Sequence, residues 1–245
     1  MFSPISNRPT FIAAACLSLL AVAQSPGALI HEYSLDGTLA DSLGGPSLVA
    51  NGGTLNPTDY SFAPNQGLIL SNALPNPAEY SILLDFSFSA LSGYRRILDF
   101  KNRASDTGLY NLNTALNFYT VTTGASVFTP DTPARLVISR DATTELVVGY
   151  INGLPQISFT DSGSLAVFSA ANAIMHFFID DLAVQNEASA GSVSEIAIFD
   201  TPLAAPDVAA LGGPGGSIVP EPGSGLLCLS ALAACFAGRV RRSRI

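Results

Sequence analysis

Short runs of alternating apolar and polar residues constrain this chain more than any other feature of its sequence. In the run from Leu84 to Phe88, leucine and phenylalanine alternate with Asp85 and Ser87. Successive side chains of a β-strand point to opposite faces, so this run predicts a strand with one buried face. Similar runs recur between turn-forming residues, and only residues 204–211 are typical of a helix. The predicted strands are residues 29–35, 67–70, 80–88, 94–100, 115–121, 134–139, 145–151, 156–160, 174–179 and 193–199.

The connections between these runs indicate how the strands are arranged. Residues 134–140 and 145–151 flank a short turn, and Asn152 and Gly153 follow the second run. Asn-Gly is the dipeptide that most readily supplies the positive φ angles of a tight hairpin turn. Many short strands without intervening helices favour two packed antiparallel sheets. We therefore predict one all-β sandwich domain over residues 24–211.

Residues 1–23 have the features of a secretory signal peptide. Arg8 precedes an apolar run over residues 11–20, and Ala21 and Ala23 provide the small residues of a cleavage site for signal peptidase. The apolar run is too short to cross a bilayer as a helix. We therefore predict an exported protein whose mature chain begins at Gln24.

The C-terminal end has three parts in a fixed order. Residues 212–219 are rich in Gly and are predicted to be a linker, and the tripeptide Pro220, Glu221, Pro222 follows. Residues 223–238 carry no charge and are predicted to form a short transmembrane helix. Such a helix is about 24 Å long, which is short for a hydrocarbon core of about 30 Å, so the anchor is predicted to be marginal or temporary. The arginines at the extreme end mark its cytoplasmic side.

This arrangement over residues 220–245 resembles the PEP-CTERM sorting signal. The resemblance implies a Gram-negative bacterium and an exosortase that recognises the Pro-Glu-Pro motif, processes the tail and is linked to exopolysaccharide export. An ordinary single-pass anchor is the alternative. Both interpretations place the protein at the cell surface or in the extracellular matrix, with at least transient membrane attachment.

Cysteine positions and charge exclude several functions for the central domain. Its residues contain no cysteine, because Cys16, Cys228 and Cys235 lie in the two terminal segments. Disulfides, a cysteine-ligated zinc ion and thiol catalysis are therefore excluded for residues 24–219. The formal net charge of -8 disfavours a nucleic-acid partner, since binding to phosphates requires a basic face.

The order of several short segments resembles the laminin G-like members of the concanavalin A-like lectin/glucanase superfamily. The segments are residues 33–37 with Asp41, residues 148–153, residues 178–181 through 187–191, residues 193–203 and residues 208–211. This resemblance covers nearly all of residues 28–211. It implies a jelly roll of two curved sheets in which the final strand pairs near the first and a short helix closes the sandwich.

Asp180, Asp181 and Glu187 are the candidate metal ligands. They lie close together in a loop-like segment, and calcium is bound by carboxylate and carbonyl oxygens. Some laminin G-like relatives bind calcium, so the resemblance adds to this hypothesis. The alternative is that Asp180 and Asp181 cap a turn while Glu187 is solvated.

The basic residues of the domain cluster at Arg95, Arg96, Lys101 and Arg103. They could meet an anionic glycan, or they could pair with Asp85, Asp99 or Asp106 on neighbouring strands. The second interpretation requires no ligand.

The sequence lacks the usual signs of a glycan-cleaving site. Enzymes of the superfamily that cut β-glucans carry Glu-x-Asp-x-Glu or Glu-x-Asp-x-x-Glu on one strand, and neither spacing occurs. Trp, a common platform for sugar rings, is absent from the chain. We therefore predict a protein without enzymatic activity, which binds a glycan or a surface protein and serves in adhesion. The alternatives are an atypical glycan hydrolase on the same fold and an inert matrix or coat protein.

Overall fold

The computed structural model describes residues 27–169 and 172–219. The predicted signal peptide with Ala21 and Ala23, the Pro220, Glu221, Pro222 motif and the predicted transmembrane helix lie outside the described residues. Within them the chain forms fifteen strands and one helix. The strands are β1 (Leu29–Tyr33), β2 (Val49–Asn51), β3 (Thr54–Leu55), β4 (Tyr60–Phe62), β5 (Gly67–Leu70), β6 (Tyr80–Phe88), β7 (Tyr94–Asp99), β8 (Gly108–Leu112), β9 (Ala115–Tyr119), β10 (Thr122–Ser126), β11 (Ala134–Arg140), β12 (Leu146–Ile151), β13 (Leu154–Thr160), β14 (Met175–Phe177) and β15 (Gly191–Phe199), and the helix is α1 (Ala205–Leu211).

The strands form two antiparallel sheets. The first sheet has the order β13-β12-β11-β6-β15-β4-β3, with β1 paired to the other end of β15. The second sheet has the order β10-β9-β8-β7-β14-β5-β2. The prediction of an all-β chain with two antiparallel sheets is confirmed, and the final strand pairs with the first strand.

The main core lies between the two sheets. On β6, Leu84, Phe86 and Phe88 point into it, as the alternation in the sequence predicts. Phe62 and Phe178 stack at its centre, with 4.5 Å between their ring centroids. Such stacked and edge-to-face rings bury large apolar surfaces, which a domain without disulfides needs for its stability.

A second apolar cluster covers part of the outer face of the first sheet. Leu83 and Val137 point outward from β6 and β11 and contact Val208 and Leu211 of α1. Pro206 and Asp207 lie in the first turn of this helix, where a missing N–H and a negative charge are both favourable. The short helix therefore closes this face of the sandwich. No helix among the described residues is long and apolar enough to span a bilayer.

Candidate functional site

The candidate site lies on the outer face of the second sheet. Arg96, Tyr110 and Asn117 are register partners across β7, β8 and β9. Their neighbours along these strands belong to the core, so these three side chains point away from it. Residues 178–190 follow β14 and run beside β7, where the backbone N–H of Arg96 donates to the carbonyl of Glu187 at 2.7 Å.

Arg96 is completely buried and organises the charges around it. Its guanidinium forms an ion pair with Asp181, and carboxylate oxygens of Asp99 and Asp106 lie 3.7 Å from its terminal nitrogens. The guanidinium also lies over the ring of Tyr110, with 4.1 Å from its carbon to the ring centroid. A buried arginine requires such compensation, so Arg96 is a structural cation that holds the carboxylates together.

The other residues of the basic cluster also bind the chain itself. Arg95 donates to the carbonyl of Asn186 at 3.3 Å, and Arg103 donates to the carbonyl of Asp180 at 2.6 Å. Lys101 donates to two further backbone carbonyls, each at 2.7 Å. These contacts favour the structural interpretation of the basic cluster over a patch for an anionic glycan.

Residues 180–187 form a loop that its own carboxylates close. Asp180 accepts hydrogen bonds from the backbone N–H groups of Asp181 at 3.1 Å and Glu187 at 2.8 Å. Asp181 accepts two more, from Ala183 at 2.6 Å and Val184 at 2.7 Å. Hydrogen bonds to a carboxylate are stronger than those between neutral groups, so they fix the shape of this loop.

Three carboxyl groups converge beside Arg96. Asp106 from the β7–β8 connection joins Asp181 and Glu187, and their oxygens lie within 4.8 Å of one another. Burial raises the pKa of Glu187 to about 7, and the negative charges of Asp106 and Asp180 add to the shift. Glu187 is therefore able to exchange a proton near neutral pH.

The cluster includes two of the three predicted calcium ligands. Asp181 and Glu187 belong to it, whereas both oxygens of Asp180 accept backbone hydrogen bonds and Asp106 takes its place. Calcium takes about six to eight oxygen ligands. Because Asp181 already pairs with the buried Arg96, this donor set fits a calcium ion poorly. Calcium at Asp180, Asp181 and Glu187 stays a prediction.

Tyrosine rings lie next to the carboxyl groups. Tyr94 contacts Tyr110 and Tyr119 edge to face, with ring centroids 5.5 Å and 5.3 Å apart. The hydroxyl of Tyr110 donates to Asp106 at 2.8 Å, and the charge of Asp106 is the main cause that raises the pKa of Tyr119. Tyr94 and Tyr119 are half-buried residues, and Tyr119 lies close enough to Asp106 and Glu187 for both charges to raise its pKa.

A polar pocket of about 340 Å³ is lined in part by residues of the same loop. It is lined mostly by amide groups together with the carboxylate of Asp180, whose pKa is raised by burial. The backbone N–H of Asp180 donates to the side-chain oxygen of Asn65 at 3.1 Å, which joins the pocket wall to the loop. The lining residues are Pro64, Asn65, Asp180, Gln185, Asn186 and Ala188.

The sequence predicts the loop over residues 180–187 but not the residues that surround it. Asp106, Tyr94 and Tyr119 come from connections and strands that are distant in the sequence from residues 180–187. Tyr94 could have been inferred from the sequence. It lies two residues before Arg96 on a predicted strand, so both side chains are expected on the same face. Strand β8, which brings Tyr110 between them, was not predicted.

Comparison with known proteins shows a shared fold. No family model and no curated protein matches the chain. Domain 4 of AbnA, an extracellular GH43 arabinanase from Geobacillus stearothermophilus in complex with arabinotriose, is 18% identical, with 76% of this chain and 98% of that chain covered and a TM-score of 0.56. Trypanosoma rangeli sialidase in complex with sialic acid is 13% identical, with 75% and 32% covered and a TM-score of 0.57.

A third similar structure is the binding domain of botulinum neurotoxin serotype D. It is 14% identical, with 74% of this chain and 50% of that chain covered and a TM-score of 0.51. The chain thus spans about a third of the sialidase and half of the toxin structure. At these identities the likeness establishes a jelly-roll-like β-sandwich fold.

The comparison corrects the prediction that the protein is not an enzyme. Solved structures with this fold come from an arabinanase and a sialidase, both of which are glycoside hydrolases, so the prediction is wrong. The physical reason for the error is that a motif on a single strand cannot reveal carboxylates that two separate connections bring together. The structure gathers Asp106 and Glu187 from two separate connections.

The raised pKa of Glu187 predicts a pH dependence of stability. Between pH 4.5, the ordinary pKa, and about 7, the folded chain keeps a proton that the unfolded chain has released. The free energy of unfolding therefore falls as the pH rises through this range, and Glu187→Gln removes this contribution. Urea unfolding at pH 4.5 and 7.5 measures the difference, with the exposed Asp131→Asn as the control variant. An unchanged pH dependence in Glu187→Gln would contradict the assignment.

Proposed function

We propose that this protein is an exported, laminin G-like β-sandwich that recognises glycans at the surface around residues 180–188. One observation carries the proposal: Tyr119, a half-buried residue whose ring contacts that of Tyr94, lies beside the carboxyl groups of Asp106 and Glu187. Aromatic rings pack against the apolar face of a sugar, while carboxylates accept hydrogen bonds from its hydroxyl groups. The amide-lined pocket adds further donors and acceptors next to the same loop.

The solved structures with the same fold support this choice of ligand class. One of them was solved with arabinotriose and another with sialic acid. These two ligands differ in charge, so they are suitable probes. The proposal for this chain rests on its own residues, because the likeness itself concerns the fold.

A binding screen tests the glycan site. The purified chain is screened against a glycan array and then titrated with the best oligosaccharide, in calcium and again in EDTA. We expect Asp106→Asn and Tyr119→Ala each to weaken binding about tenfold or more. The first weakens a hydrogen bond to a charged group, which contributes about 1.5–3 kcal/mol, and the second removes a ring that packs against the sugar. Leu146→Ala, an exposed residue of the other sheet, is the control variant. No glycan binding by the folded chain, or equal affinity in all variants, would refute the site. Loss of binding in EDTA would support the calcium prediction.

A second candidate function is glycoside hydrolysis at the same place. Retaining glycosidases use two carboxyl groups about 5–5.5 Å apart, one of which donates a proton to the leaving oxygen. Oxygens of Asp106 and Glu187 lie within 4.8 Å, and Glu187 has a pKa of about 7, which suits a proton donor at neutral pH. In this hypothesis Asp106 attacks the anomeric carbon while the glycosidic bond breaks and Glu187 protonates the leaving oxygen. Water then displaces Asp106 from the sugar and gives its proton to Glu187.

Hydrolysis is tested by the release of reducing ends from arabinan and other polysaccharides. Glu187→Gln is expected to lower the rate at least a hundredfold while the affinity for the oligosaccharide changes little. Asp131→Asn is the matched exposed control. A chain that binds an oligosaccharide but releases no reducing ends, or a Glu187→Gln variant with the wild-type rate, would exclude this function.

Export and sorting are proposals that rest on the sequence. We propose that signal peptidase cleaves after Ala23 and that an exosortase recognises Pro220, Glu221 and Pro222 while the helix over residues 223–238 holds the chain in the membrane. Either event would place the sandwich at the cell surface or in the extracellular matrix.

Substitution of the motif tests the sorting proposal. In a Gram-negative host that contains an exosortase, Glu221→Ala is expected to be exported normally but to keep its tail, which is read as a larger mass on a gel. Glu79→Ala within the domain is the control. Normal tail processing of Glu221→Ala would contradict the proposal.

A further inference from the structure

The segment predicted as a linker is bound to the sandwich. Arg135 on β11 is buried, and its Nε and Nη2 donate to the two carboxylate oxygens of Asp85 on β6, each at 2.7 Å. Its other donors reach backbone carbonyls of the C-terminal segment: Leu211 and Ser217 at 2.9 Å and Gly216 at 3.0 Å. An arginine side chain has five N–H donors, and all five are used here.

The C-terminal segment also donates a hydrogen bond back to the sandwich. The backbone N–H of Gly215 donates to Asp85 at 3.1 Å, so the carboxylate and the guanidinium both hold the segment. Gly215 has a φ of +74°, a conformation that glycine adopts at little cost. After it, Ile218 packs against the apolar cluster beneath α1. We call residues 212–217 the strap.

The strap and the candidate site lie on opposite faces of the molecule. Asp85 and Arg135 are register partners and lie next to Leu83 and Val137, which form the outer face of the first sheet. The candidate site occupies the outer face of the second sheet. Because packed sheets are about 10 Å apart, the whole sandwich separates the two.

We infer that the strap is a permanent part of the domain, and that it fixes the point where the chain leaves the sandwich, opposite the glycan site. The folded unit then ends near Ser217, and only Ile218 and Val219 precede Pro220. Two residues span less than about 8 Å. When the tail is held in a membrane, which rests on the proposed function, the strap side faces the lipid and the glycan site faces outward.

Hydrogen exchange of the full chain tests the strap itself. We expect the amides of Gly212, Gly215 and Gly216, which have acceptors, to be protected in the wild type, and the amide of Gly216 to exchange at least tenfold faster in Gly215→Pro, because proline lacks the N–H and cannot adopt a φ of +74°. Gly213→Ala is the control, since a Cβ at Gly213 would meet no atom closer than 3.7 Å. Fast exchange in the wild type would overturn the inference even if Gly215→Pro failed to fold.

Fluorescence quenching tests the direction of exit. The chain has no Trp, so a single introduced Trp reports one position. Val219→Trp and Leu182→Trp, at sites that are 52% and 64% exposed, mark the strap side and the candidate-site side. In phosphatidylcholine vesicles with brominated acyl chains, we expect quenching to be several-fold stronger for Val219→Trp.

The outcomes of the two experiments separate the strap from the membrane proposal. Equal quenching at both positions would overturn the fixed exit. An absence of quenching at both, together with a protected strap, would refute membrane attachment and leave the strap supported.

Discussion

The buried charge of Arg96 is the interaction on which the functional face depends. A guanidinium without solvent contact must be compensated by negative charge, and here Asp99, Asp106 and Asp181 supply it. The ion pair between Arg96 and Asp181 also holds residues 180–187 against the second sheet, where Glu187 lies close to Asp106. Burial in this cluster raises the pKa of Glu187 to about 7, and the negative charges of Asp106 and Asp180 add to the shift, so the site has an ionisable group near neutrality.

The sequence was informative where the fold depends on alternation. β5 and β6 were predicted with the bounds that the structure has, because their apolar residues face the core at every second position. β8 was missed for a reason connected with the site. A Cβ at Gly108 would overlap Nη1 of Arg96, so the strand begins with a glycine that weakens its sequence pattern.

The site itself could be predicted only in part. Asp181 and Glu187 are close in sequence, and this proximity is the basis on which they were predicted to lie in one site. Asp106 and Tyr119 reach it through the pairing of β7, β8 and β9, which a single sequence does not reveal. Similarly, the glycine-rich segment that the sequence predicts as a linker is held by Arg135. This contact joins residues about 80 positions apart, so it depends on the tertiary fold and has no local sequence pattern. The buried arginines Arg96 and Arg135 thus lie beneath opposite outer faces and hold different segments of the chain.

The central claim is that glycans bind at the face organised by Arg96. Chemical-shift mapping of backbone amides during titration with an arabino-oligosaccharide, and in parallel with sialyllactose, tests it most directly. We predict that shifts for at least one of these sugars concentrate in residues 180–188 and around Tyr94 and Tyr119, while residues 212–217 on the opposite face stay unchanged. Shifts confined to the outer face of the first sheet, or no shifts with either sugar, would contradict the account.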